Sequence, residues 1–568
     1  MIKSVTKIVK QRKPLFQQLE FSSPIPQLLK RIYLNRGISN ESEIHTELSG
    51  LLSFHSLLNI EKASKLLADG IQNQQKFMVI GDFDTDGATS TALAVKALKT
   101  LGAIHVEYLI PNRFEYGYGL TPEIVNKAAQ HHPNIIITVD NGISSHEGVL
   151  RAKYHGIKTL ITDHHLSPEI LPDADVIINP NQPLDTFHSK HIAGVGVIFY
   201  VMLALRDYLK AKHINMAQFL DLVALGTVAD VVSLDKNNRI LVYHGINRIR
   251  SGACSPGILA LLQTNRRKIA DISPSDLGYT VAPRLNAAGR LEDMSLGVAC
   301  LLSEDKTTAE NYALELEQLN SQRREIESEM TYQAEKVLPQ VSLENISTGL
   351  CLYHTDFHQG VIGILAGRLK DRFHRPVVVF AKVNETELKG SARSIPGCHL
   401  RDILALIDTK NPGLINKFGG HAMAAGLSID EKSFQLFSTI FNQTLENAIQ
   451  PEILNNIILT DGELQADELS IDSALLLQNQ LIWGQGFPEP LFQGNFVVLD
   501  QKLINQKHLK LRLRYGESNS TIDAIAFNHP EHISAQSNKT HINIVYRLSI
   551  NDYMGLKTLQ LIIEHFAH

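Results

Sequence analysis

Cysteine is scarce in this chain. Cys254, Cys300, Cys351 and Cys398 lie far apart among 568 residues, and no CxxC pair occurs. That excludes a zinc ribbon and a dithiol redox motif and is expected of free thiols in a reducing cytoplasm. Long apolar runs are missing too, since nothing approaches the roughly 20 residues a membrane helix needs. The opening MIKSVTKIVKQRKPLF is basic but has no apolar core and no small-residue cleavage site, so no secretory signal is expected there. There is no excess of positive charge, the net charge being −5. This excludes a protein coated in cations but not a local basic groove, because phosphates need charge only where they run. Repeats and low-complexity tracts are absent.

What is present is an ordinary globular composition, 44% hydrophobic and 20% charged, with length for about three to four domains. Short apolar runs at 77–80, 106–110, 135–139, 159–161 and 176–178 read as buried parallel strands. Helical patterns between them, such as 91–101 and 122–129, predict an open, doubly wound α/β domain. A mainly helical stretch follows at 193–300. Residues 303–338 read as one long connector helix, with capping-box spacing at Thr307 and Glu310 and Pro339 to end it. A second, smaller α/β unit is expected over 349–450, with strands at 349–353 and 377–380 and a glycine-rich FGGHAMAAG at 418–426. From about 455 the pattern turns to β, with strands at 496–499, 508–515, 521–527, 542–549 and 556–563. These suit a small barrel of the OB type, or a small sandwich. The expected division is an N-terminal extension (1–50), a catalytic unit (51–302), the connector (303–338), the second α/β unit (339–452) and the β unit (453–568).

The chemistry lies at strand ends. The first strand runs into Asp82-Phe83-Asp84-Thr85-Asp86-Gly87, the third ends at Asp140-Asn141-Gly142, and the fourth at Asp163-His164-His165. In a parallel sheet these share the carboxyl edge, where open α/β sheets bind ligands. Asp230, just beyond a helical segment, is a further candidate. So many carboxylates together repel one another and need cations. The mixed oxygen and nitrogen set suits Mn²⁺, with Mg²⁺ possible, and its size suits two ions sharing a bridging carboxylate. Any one of these aspartates could simply cap a helix, and adjacent histidines are common on surfaces. A calcium loop does not fit, since Leu93 stands where an EF-hand needs Glu. The coincidence of three acidic strand ends is what favours a metal site.

The run Asp163-His164-His165, with DFDTDG upstream, resembles the DHH phosphoesterase family. PNRFEYGYGL (111–120), GTVADVV (226–232), PRLNAAGR (283–290), HQGVIGILAGRL (358–369), SARS (391–394), FGGHAMAAG (418–426) and WGQGFPEPLF (483–492) resemble, in this order, the RecJ exonucleases within it. The resemblance implies metal ligands at Asp82, Asp84, Asp140 (bridging), His164 and Asp230. Asp86 would lie close by, Asp163 would orient its neighbour, and His165 would sit at a metal or the scissile phosphate. The family's first motif usually reads DYDADG, and Phe83 lacks that hydroxyl. The implied activity is 5′→3′ hydrolysis of single-stranded DNA to mononucleotides through a metal-activated water, in recombinational and mismatch repair. The implied protein is a cytoplasmic monomer with no membrane attachment, and its implied partners are single-strand binding protein and a helicase.

Candidate substrate contacts are Arg113, Ser391 and Arg393 for a terminal 5′-phosphate, and Arg284, Asn286 and Arg290 for the strand. His358 and His421 in the glycine-bearing motifs and Tyr118 for base stacking complete that set. On the strand 508–515, alternation puts Lys510, Arg512 and Arg514 on one face beside His508. Two other readings compete: a small-substrate phosphodiesterase or pyrophosphatase of the same superfamily, and a non-catalytic replication scaffold.

Overall fold

The computed structural model describes residues 7–16, 21–22, 25–112, 115–265, 268–338, 348–480, 482–516, 521–529, 541–553 and 555–567. Its first sheet has the spatial order Val106–Leu109, Phe77–Ile80, Ile135–Val139, Lys158–Thr162, Val176–Ile178, with every pair parallel. The two central strands, FMVI and IIITV, are buried at each position. This is what strands covered by helices on both faces require. In chain order the sheet runs 2-1-3-4-5. The connections therefore diverge between the first and third strands, and a crevice opens outside their carboxyl ends. Asp140 follows the third strand directly, and Asp82 follows the first after Gly81.

The helix expected at 91–101 starts earlier, spanning Thr85–Thr100. Its N-cap is Asp84, whose side chain accepts from the Gly87 N–H at 3.0 Å. The polar start TDGATS hid this turn from apolar periodicity. Helices Gly194–Tyr208 and Leu220–Ala229 pack behind the sheet and are buried over most of their length.

The connector helix spans Lys306–Val337. Its N-cap is Asp305, which accepts from the Thr308 N–H at 2.9 Å, so the Thr307/Glu310 box expected from spacing is not the cap. Pro339 lies outside the described residues. The helix leads to a mixed sheet ordered Lys417–Gly420, Ala424–Asp430, Glu387–Arg393, Val377–Lys382, Leu350–Tyr353. Glu387–Arg393 alternates: Leu388 and Ala392 enter the core, while Lys389, Ser391 and Arg393 share the opposite face.

The C-terminal strands Phe492–Ile504, His508–Tyr515, Thr521–Ala526, His541–Tyr553 and Leu556–Ala567 close into a barrel. Several run longer than their apolar cores, because polar residues such as Gln501 and Lys502 still pair across the hairpin with Leu511 and Lys510. A helix, Ile471–Gln480, precedes the barrel and was not expected. Among the described residues no helix is long and apolar enough to cross a membrane.

The N-terminal stretch has partners at the far end of the chain. Lys7–Gln11 pairs in parallel with Asn456–Thr460. Arg36 grips Asp461 through two hydrogen bonds, 2.7 and 3.0 Å, with side chains 1% and 0% exposed. Asn35 also donates to Asp461, Arg36 donates to the Pro488 carbonyl, and its guanidinium lies over the Trp483 ring. Removing one partner strands a buried charge, at a cost of about 3–5 kcal/mol. Asp461→Ala should therefore lower stability by that amount in urea unfolding followed by Trp483 fluorescence, whereas Arg36→Met with Asp461→Leu should recover most of the loss.

Candidate metal centre and cleft

The sheet's carboxyl edge gathers the acidic residues into one cluster. Asp140 Oδ1 lies 3.1 Å from His164 Nε2, and Asp230 Oδ2 lies 3.5 Å from the same nitrogen. Asp82, Asp84 and Asp140 bring ligand atoms within 4.8 Å of one another, as do Asp86, His164 and Asp230, and Asp140, His164 and His165. Asp140 Oδ1 and His164 Nε2 are buried yet make no hydrogen bond, despite their proximity. Buried polar atoms without partners are costly, and two aimed at a common point are what a cation would satisfy. Asp140 itself has φ +62°, a left-handed conformation that Asp tolerates better than most residues and that is frequent at functional sites.

Other carboxylates are held by backbone donors. Asp86 accepts from the N–H groups of Gly194 (2.7 Å) and Val195 (2.9 Å), at the start of the helix Gly194–Tyr208. It sits behind the cluster, 4.0 Å from His164 Nε2. Asp163 accepts from the N–H groups of Ile143, His164 and His165, and from His165 Nδ1 at 2.7 Å. It thereby orients His165. Asp84 is at once a helix cap and a member of the acidic group, so the bland and the functional readings of that residue both hold.

Burial, reinforced by Asp86, Asp84 and Asp230, pushes the Asp140 carboxyl far above its ordinary range. Burial and Asp230 likewise raise Asp86, and burial and Asp84 raise Asp230. Burial opposes charge on both members of the Asp163–His165 pair, but their mutual attraction wins: Asp163 falls to about 2 and His165 rises to about 9. His421, stacked on His165 with centroids 5.1 Å apart, is pushed down to about 4 by burial and by His165 and His164.

The second α/β unit borders a cavity of about 310 Å³ that reaches the cluster at Asp84. Phe83, Asp84, Asn286 and Arg290 line one wall, and Gly363, Lys389, Ser391, Arg393 and Gly420 line the other. Gly363, in the first turn of the helix Ile362–Phe373, lets Ser391 and Arg393 approach the helix start closely. A Cβ there would lie 2.9 Å from both Ser391 Oγ and an Arg393 guanidinium nitrogen. A helix N-terminus beside an arginine and a hydroxyl is an anion-binding arrangement.

Of the substrate contacts expected from sequence, Ser391, Arg393, Arg290 and Asn286 line this cavity. Tyr118 and His421 do not line it but meet His165 of the cluster. The Tyr118 hydroxyl lies 3.3 Å from the His165 ring nitrogens, and its ring meets Phe83 edge-on. His358 uses Nδ1 to accept from the Gly360 N–H, which shapes the turn. Arg284 is a correction. It is 2% exposed, ion-paired with Glu317 of the connector and bonded to the Thr280 carbonyl, so it is not available to a strand backbone. Lys510, Arg512 and Arg514 lie on the barrel, away from the residues lining the cavity, and Asp523 pairs with Lys510 at 2.8 Å. Arg113 lies outside the described residues. The sequence reading missed the Gly194 and Val195 donors and Gly289. The pattern AGVGV ahead of an apolar helix signals the first, and AAGR the second. A Cβ at Gly289 would collide with the Phe83 carbonyl oxygen.

The raised carboxyls make a signed prediction. Without metal the folded state favours the protonated forms, so stability is lost as pH climbs from about 4 toward 7, each tenfold change in proton affinity being worth about 1.4 kcal/mol. The raised His165 acts in the same direction, its contribution fading as pH rises through about 9. Mn²⁺ should therefore raise the melting temperature more at pH 8 than at pH 5. Asp140→Asn should abolish that metal-induced rise while making the metal-free protein more stable at pH 8, both read by thermal melting in EDTA or Mn²⁺.

Comparison with known proteins agrees with this geometry. Residues 76–227 match the DHH family, N-terminal domain, residues 346–447 the DHHA1 domain, and residues 460–565 the RecJ OB domain. The chain is 46% identical over 565 residues to the single-stranded-DNA-specific exonuclease RecJ of Escherichia coli (strain K12), covering 98% of each. It is 32% identical to the protein of that name from Bacillus subtilis (strain 168), over 98% of this chain and 69% of the relative. The crystal structure of RecJ in complex with Mn²⁺ from Thermus thermophilus superposes with a TM-score of 0.79 at 26% identity, covering 95% of this chain and 76% of that one. A Mg²⁺ complex from the same organism matches with a TM-score of 0.74 at 25% identity, over 95% and 74%. With near-complete coverage at such identity, and all three matched domains in order, the chain belongs to the RecJ family.

Proposed function

We propose that the protein is a metal-dependent exonuclease that removes mononucleotides from the 5′ end of single-stranded DNA. The observation that carries this reading is one shared cavity, which reaches the acidic cluster at Asp84 on one wall and has Ser391, Arg393 and the Ile362–Phe373 helix start on the other. One wall suits hydrolysis and the other suits a terminal phosphate. The names of the RecJ relatives supply the substrate class.

Asp82, Asp84, Asp140, His164 and Asp230 are the residues we assign to hold two divalent ions, Mn²⁺ ahead of Mg²⁺. Such ions neutralise the phosphate and activate water for in-line attack. Asp163 fixes the His165 ring and favours its protonated form, from which it can donate to a phosphoryl oxygen. His421, stacked beside it, stays neutral and can accept or relay a proton. Ser391 and Arg393 hold the terminal 5′-phosphate, and Asn286 and Arg290 steer the backbone behind it. Asn286 already accepts from the Thr85 N–H and hydroxyl, both at 2.9 Å, so its amide N–H₂ is the group left to face the cavity. Tyr118 stacks a base, and the Lys510, Arg512 and Arg514 face of the barrel carries strand farther from the cut. The same reading makes the protein a cytoplasmic monomer in recombinational and mismatch repair, beside single-strand binding protein and a helicase. Its four free cysteines suit that compartment.

Deleting the β unit to separate this from a small-substrate activity is unsound, because Asn456–Thr460 and Asp461 anchor the N-terminal stretch. Replacing Lys510, Arg512 and Arg514 with alanine keeps the strand pairing and the inward Leu509, Leu511 and Leu513, at the loss of the ion pairs to Asp523. That variant should weaken binding of long strands while leaving di- and trinucleotide hydrolysis unchanged.

The direct test is digestion of a long single strand labelled at its 5′ or 3′ end, with Mn²⁺ or EDTA, beside the blunt duplex. Early release of 5′-labelled mononucleotide, only with metal and only from the single strand, is expected. Cleavage confined to short oligonucleotides overturns the reading. Arg393→Ala should raise KM about ten- to a hundredfold for 5′-phosphorylated strands, the worth of a charge-assisted hydrogen bond, with little effect on 5′-hydroxyl strands.

A further inference from the structure

The inward stripe of the connector helix changes character along its length. Ala309, Ala313, Leu316 and Leu319 are buried in the core of the catalytic unit. Met330, Ala334 and Leu338 are buried in the core of the second unit. Between them the fully buried positions are polar: Asn320 is 0% exposed and Glu327 3%. Arg323 joins them, donating to Asn320 Oδ1 at 2.6 Å and to Glu327 Oε2 at 2.8 Å.

Two carboxylates of the connector, Glu327 in this stretch and Glu317 just before it, reach different walls. Glu327 also ion-pairs with Arg368, which lies on the helix Ile362–Phe373, whose first turn lines the cavity beside Ser391 and Arg393. Glu317 ion-pairs with Arg284 on the helix Ala282–Leu291. That helix supplies Asn286 to Thr85, backs the Phe83 carbonyl through Gly289, and reaches the second unit through Arg290 to the Gly360 carbonyl at 3.2 Å.

Apolar side chains would bind the connector to either core at least as well, since desolvating an ion pair offsets most of its attraction. What a buried carboxylate shared between two arginines adds is directionality. An apolar seam slides, whereas Glu327, held on its own helix by Arg323, meets Arg368 of the helix Ile362–Phe373 only when the two helices lie near this separation.

We propose that Glu327, acting through Arg323 and Arg368, sets the separation and tilt of the two cleft walls, and so is a positioning residue that determines which strand geometry the cleft accepts. This rests on the nuclease reading above for its substrate, though not for its structural content. Glu327 touches neither the metal cluster nor the cavity lining, so its loss should leave both walls chemically complete but misaligned.

The test uses the full-length protein with Mn²⁺ and three variants: Glu327→Gln, Arg368→Gln, and both together. For Glu327→Gln the Mn²⁺-induced melting shift should equal that of the parent. On long single strands KM should rise about 10- to 100-fold, the scale of a small misplacement of a binding surface, with kcat within about twofold, and the preference for single strand over blunt duplex should shrink. The double variant should be no worse than Glu327→Gln alone, because coupled partners are not additive. Without DNA, amide hydrogen exchange in 362–373 and 282–291 should quicken in each variant. Unchanged exchange overturns the proposal, as do KM losses that add between the two single variants, which would mark two independent strand contacts. Should Glu327→Gln fail to fold, Arg368→Gln, altered at a side chain 63% exposed, carries the same exchange prediction. If the parent cleaves no single strand, the nuclease reading falls while the exchange comparison still decides this one.

Discussion

Mutual repulsion among buried carboxylates is the constraint on which the rest of this structure depends. Asp82, Asp84, Asp86, Asp140, Asp163 and Asp230 converge at one edge of a parallel sheet, and four of them are nearly inaccessible to water. Charges so placed persist only if each finds a donor or a cation. The fold divides them. Asp86 takes two N–H groups from a helix start, Asp163 takes three from its own loop and Ile143, and Asp84 caps the helix it precedes. Asp140 Oδ1 and His164 Nε2 are left 3.1 Å apart without a hydrogen bond. The atoms left over are therefore the ones a divalent ion would gather.

This division needs rigid surroundings. The helices Gly194–Tyr208 and Leu220–Ala229 are almost wholly buried, which fixes where their ends fall: one presents N–H groups to Asp86, and the other closes on Asp230 as its C-terminal cap. Gly289 lets the helix Ala282–Leu291 lie directly on the Phe83 carbonyl, so the loop between Asp82 and Asp84 is held from behind. The second sheet then contributes by alternation alone. Because Leu388 and Ala392 must enter its core, Lys389, Ser391 and Arg393 must face the cleft.

The connector helix joins these two systems with a different chemistry from either. Its ends are apolar and belong to separate cores, while its middle is polar and charged. A single continuous helix transmits position over its length. At its midpoint, side-chain geometry rather than apolar contact decides how the walls face each other.

The metal cluster was legible in the chain because each strand of a parallel sheet ends on the same edge, so acidic motifs after successive apolar runs must meet whatever the details of packing. The barrel was legible from alternation, as in Leu509, Leu511 and Leu513 facing in between His508, Lys510 and Arg512. The connector was legible from helical spacing, though not its cap, since Asp305 and Thr307 are both capping residues and only backbone conformation chooses between them. Nothing local marked Arg284 as a structural residue: its motif reads as a strand-binding run, and only the approach of Glu317 from a helix some thirty residues on commits it. The same holds for the Arg36–Asp461 pair, the Lys7–Gln11 strand whose partner lies more than four hundred residues away, and the Glu327 bridge. Periodicity and strand-end chemistry are properties of the chain in sequence order, and these the sequence by itself determined. Which charge meets which across distant segments depends on how the separate cores dock, and that only the tertiary structure decided.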